Sequence, residues 1–245
     1  MTPNADATRS VPDRLAAVAT AIAASIVVVA IAVLPFLTPA WVSFEQGRAQ
    51  AAAWTGYGAA DLSAATNSIL HDLVLGPPDF AVQVAGVPVL DARERSHMRD
   101  VRGVFAAFGL MALVAAAGLA VLAVRARRLG HSEGTWSAIS TGLRWLIVAI
   151  VASGLVATVA FDALFEIFHE LFFPAGSFTF DPRTDRLVQL FPFSFWSETT
   201  IVLGGLIVVL AAGLAVLAGR RARRMVPARS SPTGAVNPSP AGTTR

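Results

Sequence analysis

Four long apolar runs dominate the pattern of hydrophobic and polar positions, at residues 15–37, 104–124, 143–165 and 201–217. A helix needs about 20 apolar residues to cross the hydrocarbon of a bilayer, so each run predicts a transmembrane helix. The last is short, and Thr199 and Thr200 extend it. The first is longer than the roughly 7–15 residues of a signal-peptide core and no clear small-x-small cleavage site follows it, so it reads as a retained helix. Between the runs the period changes. "DLSAATNSILHDLVL" (61–75) predicts a short amphipathic helix, "GPPDF" a turn, and "FAVQVAGVPVL" a hairpin around Gly86. In the second long connection "SFTF" alternates, "DPRTD" carries turn chemistry and "RLVQLF" predicts a returning strand. The first connection, 38–103, is too long for a plain link. No repeat of fixed period is present. The expected architecture is an all-α membrane bundle of four transmembrane helices with a small β-containing cap, rich in strands, on one side. Its parts are an N-terminal tail at 1–14, a membrane domain at 15–218 with outer loops 38–103 and 166–198, and a disordered basic tail at 219–245.

Composition agrees with a membrane protein. Of the 245 residues 55% are hydrophobic and 14% charged, against about 25% charged in soluble domains. There is no Cys, which removes disulfides and a thiol nucleophile. There is no Lys either, which removes Schiff-base chemistry. Charge sorts by membrane side. The N-tail, the 125–144 loop and the C-tail hold twelve Arg and three acids, whereas the other two loops, with the helix ends that lead into them, hold seven Arg and thirteen acids. Positive charge accumulates in the cytoplasm, so both termini are predicted cytoplasmic and the long loops outside. This distribution accounts for the basic balance without a nucleic-acid partner.

Two stretches carry candidate chemistry. "FDALFEIFHELFF" (161–173) ends the third run and places Asp162, Glu166 and His169 on one helical stripe, beside an aromatic stripe of Phe161, Phe165, Phe168 and Phe172. Ionisable groups at membrane depth are functional candidates by default. "DARERSHMRDV" (91–101) leads into the second run. As a helix it sets Arg93, His97 and Asp100 on one face and Arg95, Arg99 and Arg102 on the other. Arg on the outer side opposes the orientation rule, and a lipid headgroup phosphate gripped by guanidinium would explain it. His97 and His169 are thus expected at the same membrane surface, and acid–base work by the pair requires them within about 10 Å. His71 and His131 are expected to be structural or solvated. No HExxH motif is present, and there is no GxSxG elbow, since "GHSEG" (130–134) follows an apolar helical run and not a strand.

"SHMRDVRGVF" (96–105) and "FEIFHELFFPAGSFTFDPRTDRLVQLFPFSFW" (165–196), on four helices with two outer loops, resemble the Lit-like family of bacterial integral membrane proteins, the lipoprotein intramolecular transacylases. The shared pattern is His-x-x-Asp-Val before the second span and His-x-x-Phe-Phe after the third, then Asp-Pro and Asp-x-Leu. Family members tend to carry Lys at Arg102 and Trp at Phe178, which marks this chain as a distant relative. The resemblance implies migration of the sn-2 acyl chain of a diacylglyceryl-Cys lipoprotein to the Cys α-amine, at the bacterial inner membrane, with no cofactor or metal. It implies His97 and His169 as catalytic groups. Asp100 and Glu166 are expected to orient them, and Arg95, Arg99 and Arg102 to hold phospholipid or substrate headgroups. Two other readings stay open: a non-enzymatic membrane protein with pH-sensing histidines, and a membrane metallohydrolase using both histidines and a third ligand.

Overall fold

The computed structural model describes residues 11–225. In chain order, α1 (Val11–Val33) runs into a 3₁₀ turn at Leu34–Leu37. The short helices α2 (Pro39–Arg48), α3 (Ala51–Thr55) and α4 (Ala59–Val74) follow, and then a hairpin of β1 (Gln83–Val84) and β2 (Val87–Pro88). The chain continues through α5 (Ala92–Arg128), α6 (Ser132–Phe172), α7 (Arg186–Leu190) and α8 (Phe193–Met225). The 3₁₀ turn completes the first span, and with α5, α6 and α8 it makes four helices long and apolar enough to cross a membrane. Each exceeds its apolar run because polar ends continue the helix. Thus α8 carries "GRRARR" as helix to Met225, so the tail expected from 219 begins as helix. Residues 1–10 and 226–245, including the rest of both predicted tails, lie outside the described residues.

Lipid tails are as apolar as leucine, so close backbone contact rather than hydrophobicity holds membrane helices together. The buried stripe of α1 is Thr20, Ala24, Val28 and Ala32, and that of α8 includes Ala211, Ala215, Ala218 and Ala222. Gly142 of α6 lies directly on α1: a Cβ there would come within 2.6 Å of Ala21 Cβ. Ser140 Oγ donates to Ala215 O at 2.9 Å, tying α6 to α8. Large side chains such as Leu113, Leu155, Val159 and Ile201 are exposed and form the bilayer contact. Near its C-terminal end α6 breaks at Ala160 (φ −140°, ψ 34°). Thr158 Oγ1 donates to Leu155 O at 2.7 Å, and such back-bonding from Thr bends helices. Residues 161–172 form the terminal segment that carries His169.

The larger buried apolar cluster lies in the cap, around Phe80, Ile69, Val42, Leu187 and Leu190. The cap is mainly helical. The predicted hairpin is present, with Val84 opposite Val87 and the turn residues Ala85 and Gly86 at φ 50° and 79°. A two-residue turn with both central φ positive matches strand twist. The predicted strand at "RLVQLF" is instead α7, and here the expectation is corrected. Its apolar positions Leu187, Leu190 and Phe191 sit at helical spacing and all enter the cap core, a pattern that a short apolar run shares with a strand. Buried polar groups are bonded across the cap: Thr66 Oγ1 donates to Gln46 Oε1 at 2.9 Å, and Gln46 Nε2 to Leu190 O at 3.0 Å.

Candidate active site

The start of α5 is fixed by a reciprocal cap. Glu94 N donates to Asp91 Oδ1 and Asp91 N to Glu94 Oε2, both at 2.7 Å. The other Glu94 oxygen accepts from Leu187 N at 2.6 Å. One carboxylate, 2% exposed, therefore closes the start of α5 and satisfies a free N–H in the first turn of α7. Arg93 Nη2 donates to Asp185 Oδ2 at 2.7 Å, and the same oxygen accepts from Asp181 N. Segment 181–187 is thus held on α5 by two successive side chains. Phe180, just before it, lies with its ring 5.4 Å from His97 and 5.1 Å from the Arg93 guanidinium carbon.

His97 occupies the second turn of α5 and is 6% exposed. His169 occupies the last turn of α6. The two rings stack with centroids 6.0 Å apart and planes 23° from parallel. His169 Nδ1 lies 2.7 Å from Phe165 O. A carbonyl only accepts, so Nδ1 carries a proton and neutral His169 presents an Nε2 lone pair. His97 Nδ1 is buried with no hydrogen-bond partner. An unsatisfied buried polar atom costs about 1–3 kcal/mol, and a native site that keeps one calls for a functional account. Aromatic rings enclose the pair. Phe165, Phe173 and Phe178 have centroids 4.1, 5.3 and 5.3 Å from His169, and Phe173 lies 4.8 Å from His97. The arrangement offers a proton acceptor and a second imidazole among apolar aromatic rings.

The other predicted residues divide. Asp100 is half-buried one turn beyond His97 and makes no hydrogen bond to it. Glu166 is exposed, and its expected place as the orienting partner of His169 is taken by the Phe165 carbonyl. Of the three arginines expected at a headgroup, Arg95 and Arg102 are bonded to backbone carbonyls of residues 72–79. Arg95 Nε donates to Asp79 O at 2.7 Å, while Arg102 Nη1 donates to Asp72 O and, at 2.7 Å, to Gly76 O. Carbonyls in the 72–79 connector have no helical or strand partner and take these guanidinium donors; Arg99 is exposed. His71 is exposed beside Asp72, and His131 is exposed between α5 and α6. Glu94 and Asp185 were not among the residues singled out from the sequence. The Asp-x-x-Glu spacing at 91–94, a capping-box signature, was the signal that distinguishes Glu94. Among the described residues no group of three or more His, Asp or Glu is placed to hold a metal ion.

The family profile of the lipoprotein intramolecular transacylase Lit matches residues 16–196. No curated protein gives a match. Among solved structures, the in meso structure of the membrane integral lipoprotein intramolecular transacylase Lit from Bacillus cereus aligns with a TM-score of 0.68 at 17% identity. It covers 87% of this chain and 95% of that one. A histidine-to-arginine and a histidine-to-alanine mutant of the same protein align with TM-scores of 0.67 at 16% identity, again over 87% of this chain. At such identity the structures establish a common fold. The profile match spans the α5 and α6 segments that bring the histidines together and extends to Trp196, so the chain belongs to the Lit family of lipoprotein intramolecular transacylases.

Proposed function

We propose that this protein moves the sn-2 acyl chain of a diacylglyceryl-Cys lipoprotein onto the Cys α-amine, with His97 and His169 as its acid–base pair. The amine nitrogen attacks the ester carbonyl while His169 Nε2 takes the amine proton. The tetrahedral intermediate collapses, the C–O bond to the glycerol breaks, and the alkoxide receives a proton from the imidazole pair. The products are an amide and a free sn-2 hydroxyl, with atoms and charge conserved. Nucleophile and ester belong to one molecule, so much of the acceleration comes from holding them together. An α-amino group with a pKa of about 7.7–8.0 is partly neutral at physiological pH, and a nearby base removes the remaining proton during attack.

The observation that carries this reading is the 6.0 Å histidine stack with the His169 Nδ1 proton directed to Phe165 O. The surrounding phenylalanines suit an acyl chain, and Asp100 one turn beyond His97 would favour the imidazolium that forms in transit. Exposed Arg99 is the guanidinium left to meet a phospholipid or substrate headgroup. In this reading the histidine end faces outward from the bacterial cell membrane, both termini are cytoplasmic, and the partner is the diacylated lipoprotein N-terminus. The metallohydrolase alternative requires a third ligand beside the two histidines.

The reaction is an isomerisation, so intact mass does not change. Purified protein incubated with a synthetic diacylglyceryl-Cys lipopeptide is expected to yield a product whose tandem mass spectrum places one acyl group on the N-terminal amine. Both acyl groups remaining on glycerol, or release of free fatty acid, contradicts the assignment.

A further inference from the structure

The opposite end of the bundle holds two adjoining cavities, of about 570 and about 370 Å³, which share Leu119, Trp136 and Ile139. The larger continues along α6 and α8 past Leu143 and Leu214. Its mouth is formed by Arg220, Arg221 and Arg224 of α8, and the mouth of the smaller by Arg127 of α5. Arg221 places its guanidinium carbon 5.0 Å from the centre of the Trp136 ring. None of these four arginines forms an ion pair with an acidic side chain among the described residues. Glu133, in the exposed first turn of α6, pairs with none of them. Twenty-five residues of α8 separate Arg221 from Trp196, which contacts Phe165 beside His169. At the helical rise of about 1.5 Å per residue the cavity lies roughly 35 Å from the histidines.

The cavity walls are apolar and offer water few partners, whereas a buried water needs two to four. An apolar groove between spanning helices is filled by an acyl chain. Three guanidiniums at its mouth supply forked donors that match phosphate oxygens, and basic pockets between membrane helices take anionic headgroups. Trp136 sits where an aromatic ring meets the headgroup level. We infer that this end of the bundle binds an anionic phospholipid of the leaflet opposite the histidines, with its phosphate on Arg220, Arg221 and Arg224 and one acyl chain along α6. Such a lipid wedges α5, α6 and α8 together at their ends and takes no part in acyl transfer.

The test uses delipidated full-length protein in a neutral detergent, with thermal unfolding and native mass spectrometry as readouts. Three additives are compared: phosphatidylglycerol, phosphatidylcholine with the same acyl chains, and glycerol 3-phosphate, which has the anion without tails. Phosphatidylglycerol is expected to raise Tm more than phosphatidylcholine, and glycerol 3-phosphate to leave it unchanged. In the Arg220→Gln/Arg221→Gln/Arg224→Gln variant the phosphatidylglycerol shift falls to the phosphatidylcholine level, while Arg128→Gln, outside both cavities, retains it. Should the triple variant not fold, Arg221→Gln alone is expected to lower phosphatidylglycerol occupancy in native spectra by about tenfold, the effect of one charge-assisted contact. Equal shifts with both lipids, a full shift with glycerol 3-phosphate, or an undiminished response in the arginine variants overturns the inference. Acyl transfer is not read in any arm, so the outcome is separate from that of the proposed reaction.

Discussion

Glu45 of α2 is a buried carboxyl outside the spanning segments. It is 1% exposed, its Oε1 has no hydrogen-bond partner, and Arg48, 3.7 Å from its Oε2, is committed to Glu198 at 2.6 Å. Burial raises its pKa above the ordinary 4.5, and the adjacent Glu198 raises it further by hydrogen bonding and by its charge. At low pH the folded and unfolded chains both hold this proton, so the group does not affect stability. As pH rises through about 4.5 the unfolded chain releases the proton while the folded chain retains it, and stability falls until the folded carboxyl itself ionises. Glu45→Gln is therefore expected to unfold at a higher temperature than the wild type at neutral pH, with the gap closing below about pH 4. Thermal unfolding between about pH 3 and 8 measures this. A pH-independent gap would show that folding leaves the pKa of this carboxyl unshifted.

At the scale of elements, two contacts carry more than their size indicates. Glu94 satisfies the N–H groups of Asp91 and Leu187 at once. Glu94→Ala leaves both donors without their partner, at about 1–3 kcal/mol each. It is expected to lower Tm in detergent and to expose the 181–190 segment to limited proteolysis. A variant with wild-type protection there would mean that Arg93 and Asp185 suffice. Gly142→Leu forces side-chain atoms into the Ala21 backbone, and overpacking of this kind costs about 1–3 kcal/mol. Thermal unfolding of that variant reads the α1–α6 contact, and an unchanged Tm would mean that the helices separate without loss.

These elements also show what the sequence discloses. Spans follow from the length of apolar runs, a signal that lipid makes strict. The hairpin at Gly86 was legible because positive φ at two successive positions needs a particular turn. The helix at 186–190 was not, because five residues cannot separate a period of 3.6 from a period of 2. The partners of Arg95 and Arg102 were not legible for another reason. Their acceptors are backbone carbonyls of the 72–79 connector, and no side-chain pattern advertises a carbonyl. Glu94 shows the reverse case, since its capping box was written in the sequence and concealed by the surrounding charges. Phe178 and Phe180 reach the histidines from a connection that forms neither helix nor strand, although its "SFTF" alternates as a strand would.

Across the whole molecule, stability and chemistry occupy different levels of the membrane. Small residues and one interhelical hydrogen bond draw the spanning helices together. The larger apolar core sits above them in the cap, and the histidines meet where cap and bundle join. His97 comes from the start of one spanning helix and His169 from the end of the next, so topology brought them to one end before any tertiary contact was considered. That juxtaposition is the central claim, and single-turnover acyl migration at saturating lipopeptide tests it most directly. With His97→Ala and His169→Ala compared with wild-type protein in the same micelles, each variant is expected to remain folded and lose about 10²–10⁴-fold in rate, the usual contribution of a general acid or base. A folded variant of either histidine that transfers the acyl chain at the wild-type rate would contradict the account.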